Sequence, residues 1–587
     1  VRIRWLTGQS VSAGTARQRP RRIRFIAAST CCAALSVAGL RCNLYEKAPP
    51  AGANEWRASA PRAAASAALP SQEPAPSPAS TPGGSDGANA RDGAREVKAP
   101  PASPSYLPAS YQASLECAQP RAAHPSAAAA SLPQLEEDQD ADGTLGTFQV
   151  SGPTTTADHA FFQAIGTNGR ACVTCHEPAS AMSVSVDRIQ LRFEQTLGTD
   201  PIFAPVDGAD CPSAVEPADT SAALVGGSTG HGTAEARASH SLLLTKGLFR
   251  VFLPVPEGAE YTVTVERDPA HCNTDPAFSE TTDPRTGATR QMLSVYRRPR
   301  PTANLSFAGG EGGIMWDGRE PSLESQAVDA TLVHAQATAT PSEAEVAQIV
   351  AFERGIFTAQ VFSNLAHGLT DFGALGGPRA LASWAASSDD AGAGGRPLPL
   401  FDAWRSLAKD ADRRDQRLAV LRGQTLFESR TFAIASVGGL NDAPALGRTL
   451  ANGTCATCHG RPGVASSPSS EAQLDIGIGG ADSALGGPAP ASELPVFKIV
   501  CKPGTRTGFH GSTVVTNDPG KALFTGKCAD VGRFTIPGLR GLAARAPYFS
   551  DGSAPDLAHV VDFYDKRFSI GLLPAEKDDL VQFLRTL

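Results

Sequence analysis

Apolar positions change spacing several times along the chain, and each change predicts an element. In "TPSEAEVAQIVAFERG" the residues Val346, Ile349, Val350 and Phe352 recur at helical spacing, with Thr340 as N-cap, Pro341 at the first helical position and Glu343 closing a capping box. Farther on, "DQRLAVLRGQTLFESRTF" carries Leu418, Val420, Leu421, Leu426 and Phe427 in a second helical pattern. The final "LPAEKDDLVQFLRTL" opens on Pro574, continues with acidic residues and gathers Leu580, Val581, Leu584 and Leu587 on one face, which predicts a terminal helix. The stretch "TADHAFFQAIGTNGRACVTCH" also reads as helix-like. By contrast, "GLFRVFLPVP" and "EYTVTVER" alternate at period two and predict strands, a small β element within residues 177–290.

The N-terminal part follows neither pattern. Arg17, Arg19, Arg21, Arg22 and Arg24 precede an apolar run from Phe25 to Leu40 containing small residues such as Ser36 and Ala38, as in an export signal, and the run is short for a membrane span. A cleaved signal is the first reading and an uncleaved anchor the second. Cys42 would suit lipidation, but Arg41 before it suits a lipobox poorly. Beyond it, segments such as "LPSQEPAPSPASTPGGSDGANARDG" hold too few large apolar side chains to offset their ordering entropy, and read as a tether. The run "SSDDAGAGGRPLP" reads as a second linker.

The expected organisation is an export segment at 1–42, a disordered linker at 43–145, a first domain at 146–385 with an insertion at about 177–290, and a second domain at 405–587. A chain of 587 residues exceeds what one core usually serves. Its formal net charge of -7 offers no basic surface of the kind nucleic acid requires.

Four of the twelve cysteines change the picture most. "RACVTCHEP" holds Cys172, Cys175 and His176, and "GTCATCHGRP" holds Cys455, Cys458 and His459. C-x-x-C-H is the attachment signature of c-type heme: the thiols bond the porphyrin and the adjacent neutral imidazole ligates iron. Chance matches expected in such a chain number about 0.005, so two are strong evidence. A zinc site would want its C-x-x-C pairs about 15–20 residues apart, and structural disulfides would not need the histidines. Attachment outside the cytoplasm agrees with the export signal, so the protein is expected to be periplasmic or otherwise exported. Cys211 with Cys272, and Cys501 with Cys528, are plausible disulfides there.

Function then turns on the sixth iron position, where a second strong ligand makes a carrier and an open site admits peroxide or dioxygen. The only methionines are Met182, Met292 and Met315. The second heme therefore has none in its own domain, and its candidates are His510, His559, Tyr548 and Tyr564.

The two C-x-x-C-H sites, "MWDGREPSLESQA" and "DPGKALFTGKCADVGRFTIPGLRGLAARAPYFSDGS" together resemble the bacterial diheme cytochrome c peroxidases, their methylamine-utilisation diheme relatives and, more distantly, the rubber oxygenases. The resemblance spans roughly residues 155–587 outside the insertion. It implies a mainly α fold of two cytochrome c-like heme domains. It implies that Trp316 relays electrons between the hemes and that Gln326 lines the peroxide pocket. The family's acid-base glutamate is replaced here by Gln336, which cannot exchange a proton as a carboxylate does. His334 can substitute, with a capping or surface role as the alternative. "QMLSVYRRPRPTANL" lacks the family's displaceable histidine, so the first heme is expected to be open. Tyr564 stands where family peroxidases have methionine, with His559 next. Asp317 and Arg319 are expected to fix the turn and to contact heme propionates or backbone. Calcium occurs between domains in the family, but the upstream asparagine does not align here.

The expected activity is that of an exported diheme oxidoreductase reducing hydrogen peroxide, supplied by a small redox protein or other electron donor. Membrane contact is expected only through the N-terminus. Dioxygen chemistry of the rubber-oxygenase type and a plain electron-transfer cytochrome are the alternatives.

Overall fold

The computed structural model describes residues 131–215, 231–282, 287–307, 313–386, 399–442, 451–460, 473–480 and 490–587. The export segment, the tether up to residue 130, Cys31, Cys32, Cys42, Cys117 and most of the 387–399 linker lie outside the described residues. Within them the chain opens with a sheet. Strands Leu135–Gln139 and Gly143–Gln149 pair antiparallel, and Ile356–Ser363 and then His367–Gly368 complete a four-stranded array. Leu145 in the inner strand is fully buried. Gly146 lets the layers close, since a Cβ there would stand 2.6 Å from Val361 Cγ1. This sheet corrects the expected linker boundary at residue 145. "LEEDQ" has no apolar alternation to announce a strand, and its order comes from the partner it pairs with.

The expected mainly α class is also corrected. Helix accounts for 35% and strand for 20% of the described residues, with six small sheets. The predicted strands form, as Phe249–Pro254 and Tyr261–Arg267, but strands are not confined to the insertion. Tyr261–Arg267 pairs with Val496–Cys501 from the C-terminal half, which pairs in turn with Thr513–Thr516. Tyr261, Val263 and Val265 point with Phe497, Ile499 and Val514 into one apolar layer. Phe249–Pro254 pairs instead with Thr289–Arg297. Both expected disulfides, Cys211–Cys272 and Cys501–Cys528, are present.

The helices follow their apolar stripes, with local differences. Arg414–Ser429 packs on the terminal helix Pro574–Leu584, and Gly423 sets the approach, since a Cβ there would meet the Asp579 carbonyl oxygen at 2.0 Å. The central helix spans Glu343–Gly355, but its N-cap is Ser342 rather than Thr340. "TPSEAE" contains the S/T-x-x-E box twice, and the second copy forms: Ser342 Oγ accepts from Glu345 N at 3.3 Å while Glu345 Oε2 accepts from Ser342 N at 2.7 Å. The helix expected ahead of the first heme motif reduces to one 3-10 turn, Ala160–Phe162. Gly166 lies so close to the Ala335 carbonyl that no side chain fits there, and tertiary approach overrides local propensity. No helix among the described residues is long and apolar enough to cross a membrane.

"GIMWDGRE" folds as a tight turn closed by bridging of Ile314 with Glu320. Asp317, at its tip, has no side-chain exposure and lies 2.6 Å from Arg297, which also grips Asp518 at 2.6 and 2.9 Å. Burial opposes ionisation of Asp317, but Arg319 and Arg297 outweigh it and hold the carboxyl down at about 2. Replacing Arg297 by Met strands the buried Asp518 and leaves Asp317 to Arg319 alone, and should lower unfolding free energy by about 3–5 kcal/mol. Denaturant titration checks this, and a loss below about 1 kcal/mol would contradict so central a role.

Candidate functional site

In the first motif, Cys172–Thr174 forms a single 3-10 turn closed by Ala171 N donating to Thr174 Oγ1 at 3.0 Å. The turn sets Cys172, Cys175 and His176 on the wall of one cavity of ≈ 450 Å³. His176 Nδ1 lies 3.0 Å from the Met182 carbonyl, so Nδ1–H donates there and Nε2 is left as the ligating nitrogen. Burial pushes this imidazole down to about 4 and keeps it neutral. The second motif repeats the design: Thr454 caps the turn Cys455–Cys458, and Cys455, Cys458 and His459 line a second cavity of ≈ 190 Å³ as bounded by the described residues. None of the four cysteines is disulfide-bonded. Burial pushes Cys175 and Cys458 up to about 11 and Cys455 up to about 12, so the free thiols stay protonated.

Trp316 lines both cavities. Its indole N–H donates to the Arg298 carbonyl at 2.7 Å, its own carbonyl accepts from Thr535 N at 2.8 Å, and the Arg300 guanidinium stands 5.5 Å from its ring. Helix Leu323–Val333 brings Gln326 to the first cavity, and His334, its C-cap, lines the same space. Gln336 does not join them: it adopts a left-handed backbone, turns its Oε1 to Asn168 Nδ2 at 3.2 Å and lines neither cavity.

The four ligand candidates for the second cavity separate by geometry. His559 is exposed and binds Asp556 at its own helix N-terminus. His510 is buried against Asp475 at 2.5 Å, away from the cavity lining. Tyr548 lines the cavity, but its hydroxyl donates to the Leu542 carbonyl at 2.8 Å. Tyr564, on helix Leu557–Phe568, lines it too, with its phenol pushed up by burial and then by the neighbouring Cys458 and Cys455.

Several site residues escaped the sequence reading. Arg298 lines both cavities, Arg300 and Arg540 the first, and Arg545 the second. Burial drives Arg298 and Arg540 down to about 9 and Arg300 and Arg545 down to about 10. Arg298 and Arg300 bond carbonyls, Val184 O at 2.7 Å and Met315 O at 3.0 Å among them, and Arg545 Nε has no partner. Such cations call for anions, and the propionates of a heme in each cavity are the right chemistry. The histidine, thiol and arginine sets therefore fit c-type heme. No cluster of three or more His, Cys, Asp or Glu suited to a bare metal ion occurs among the described residues.

Glu353 is the other omission. It sits on the apolar face of Glu343–Gly355, 3% exposed, lines the first cavity, and its Oε2 has no partner. Its place one turn after Ile349 was the available signal.

No protein-family model matches the chain, and no curated relative does. Among solved structures, a MauG-like protein associated with microbial copper homeostasis is 17% identical, with 53% of this chain and 78% of that chain covered and a TM-score of 0.27. Hydrazine synthase of Kuenenia stuttgartiensis is 16% identical, with coverages of 50% and 73% and a TM-score of 0.25. Likeness of this degree carries no argument about the site, which rests on its own residues.

Desolvation pushes the Glu353 carboxyl from 4.5 up to about 8. The folded state binds this proton more tightly than the unfolded chain, so the group's contribution to stability falls as pH rises from about 4.5 to about 8 and is constant above. Thermal unfolding of the holoprotein should show Glu353→Gln gaining stability over wild type at pH 9 but not at pH 4. Equal offsets at both pH values would contradict a buried neutral acid.

Proposed function

We propose that the protein is an exported diheme c-type oxidoreductase that reduces hydrogen peroxide in the first cavity and takes electrons from an external donor through the second. What carries this reading is Trp316, the wall between two cavities that each present a C-x-x-C-H histidine. The hemes, when bound, supply the redox-active irons. His176 and His459 would ligate them, and the thiols of each motif would attach them covalently. Tyr564 is the side chain that would be available as a further ligand to a group held by His459, because it lines the same cavity and the other three candidates are engaged or remote. An anionic oxygen ligand there favours the oxidised iron.

The reading takes the position opposite His176 to be open, with Met315 and His334 the described lining side chains that could otherwise fill it. Gln326 offers an amide to orient peroxide, and the arginines would pair with the carboxylates of the cofactor. The overall change balances as H2O2 with two electrons and two protons giving two waters. Trp316, pinned by hydrogen bonds at both its indole N–H and its carbonyl, keeps one orientation while electrons pass between the cavities.

Heme content by alkaline pyridine spectrum should be two per chain. Low-temperature spin resonance of the ferric protein should show one high-spin and one low-spin heme, and peroxide should be consumed with a reduced small cytochrome as donor. Two low-spin hemes with no turnover would leave an electron carrier and sink the proposal. Trp316→Phe should keep both hemes and peroxide binding while turnover with the external donor is lost.

A further inference from the structure

His334 is held in a way that the peroxidase reading alone does not explain. Its Nδ1 lies 2.5 Å from Asp207 Oδ2, and Asp207 is 1% exposed. The other Asp207 carboxylate oxygen is paired with Arg170. Arg170 spends its remaining donors on the carbonyls of Pro201 and Ile202, both at 2.8 Å, and on that of His334 itself at 3.2 Å. Burial alone would keep the Asp207 carboxyl neutral, but Arg170 and then His334 hold it below the usual carboxylate range.

Asp207 belongs to the inserted chain between the first heme motif and Trp316. Its own carbonyl accepts from Arg250 N at 2.8 Å, on strand Phe249–Pro254. Three residues on, the Asp210 carboxylate caps Ser241–Lys246 through Ser241 N and Leu242 N at 3.1 and 2.9 Å, and the Cys211–Cys272 disulfide follows. A carboxylate so anchored fixes the imidazole's tautomer: Nδ1–H donates to Asp207, and Nε2 is the nitrogen free for the cavity that the side chain lines.

We propose that Asp207 is a positioning residue that orients His334 as the proton carrier of the first cavity, so that the insertion builds part of the reaction site. The inference rests on the peroxide-reducing reading. Nε2 takes the proton from one peroxide oxygen and delivers it to the other, which leaves as water when the O–O bond breaks. The two electrons come from the external donor, and two protons from solvent complete the second water. Asp207 does not change protonation in this cycle. It stabilises the imidazolium while His334 holds the proton, the duty that Gln336 cannot perform. The charged and titratable groups facing this space are Arg170, Cys172, Cys175 and His176 from the motif segment, Arg297, Arg298, Arg300 and Arg540 from the arginine set, Arg319 from the Trp316 turn, and Glu353 with Arg354 from the neighbouring helix.

The test uses cyanide as probe on the ferric holoprotein, because hydrogen cyanide must give up its proton to a base in the cavity as it binds. Association rates are measured across pH 5 to 9 for wild type, Asp207→Asn and His334→Gln, beside thermal unfolding and heme spectra. His334→Gln should slow association on the order of 10²-fold. Asp207→Asn keeps an oxygen for Arg170 but loses the charge that stabilises imidazolium, so its profile should shift toward acid by about one pH unit. Because Arg170 also loses its buried counter-charge, unfolding should occur at lower temperature, and rates are compared only where the variant is folded. Coincident profiles for Asp207→Asn and wild type overturn the proposal. So does a low-spin first heme that becomes high-spin in His334→Gln, which would make His334 an iron ligand. Peroxide turnover run in parallel separates the two readings: shifted profiles without turnover leave the positioning role standing and remove the peroxidase, and turnover with unshifted profiles does the reverse.

Discussion

Arg297 ends a strand, Asp317 tips the turn that carries Trp316, and Asp518 opens a loop in the C-terminal half, yet the three side chains meet with 5% exposure or less. A guanidinium buried this deeply is tolerable only when carboxylates complete its charge and take its donors. The constraint is mutual, because each carboxylate is as costly alone. Once Arg297 is placed, the "WDGR" turn can lie only where it presents Trp316 to both cavities, and Thr535 from the other half then closes on the Trp316 carbonyl. The position of the indole thus follows from a charge requirement one residue away, and the aromatic ring need supply little of its own anchoring.

Much of the site was legible because its chemistry needs fixed local spacing. Two thiols and a histidine must share one turn to grip a heme, so C-x-x-C-H announces itself, and both copies present cavity walls. The stripes of 414–429 and 574–584 were likewise legible, since one helix face must be apolar for the pair to pack. What was not legible depends on distant partners. "FKIVCK" is too short and mixed to declare a strand until Tyr261–Arg267 lies beside it. Asp207 meets His334 across 127 positions, and no local pattern marks an aspartate for that. The misplaced cap at Thr340 differs in kind: two overlapping boxes satisfy the same rule, and local sequence cannot choose between them. Glu353 could have been found, because an acid within an apolar stripe is a contradiction that a cavity resolves.

The strands explain why the mainly α expectation failed. A heme needs few residues to hold it, namely a motif turn, a ligand and apolar walls. On the proposed reading the remaining chain must tie two such sites together at fixed separation. Helices joined by linkers would leave that separation soft. Pairing Tyr261–Arg267 with Val496–Cys501 ties the insertion to the C-terminal half through a ladder of backbone hydrogen bonds, and ladder register does not slip without turning every side chain over. The insertion then has two structural outputs: one edge binds the far half, and the segment around Asp207 faces the first cavity.

Arg297 and Arg298 are neighbours in sequence and opposite in kind. Successive side chains of an extended segment point to opposite faces, so Arg297 turns to carboxylates of the protein while Arg298 turns to the cavities and finds only carbonyls. Carbonyl dipoles disperse a charge without cancelling it, and burial accordingly drives Arg298 down to about 9 while Arg297 is held up. The first arginine is complete without any cofactor; the second is complete only when an anion arrives. Anything that binds the folded state alone stabilises it, so filling the cavities strengthens the same strand end that Arg297 secures. Under the proposed reading, cofactor loading and the placement of Trp316 would be coupled through one dipeptide, in which the fold supplies the counter-charge on one side and leaves it to the ligand on the other.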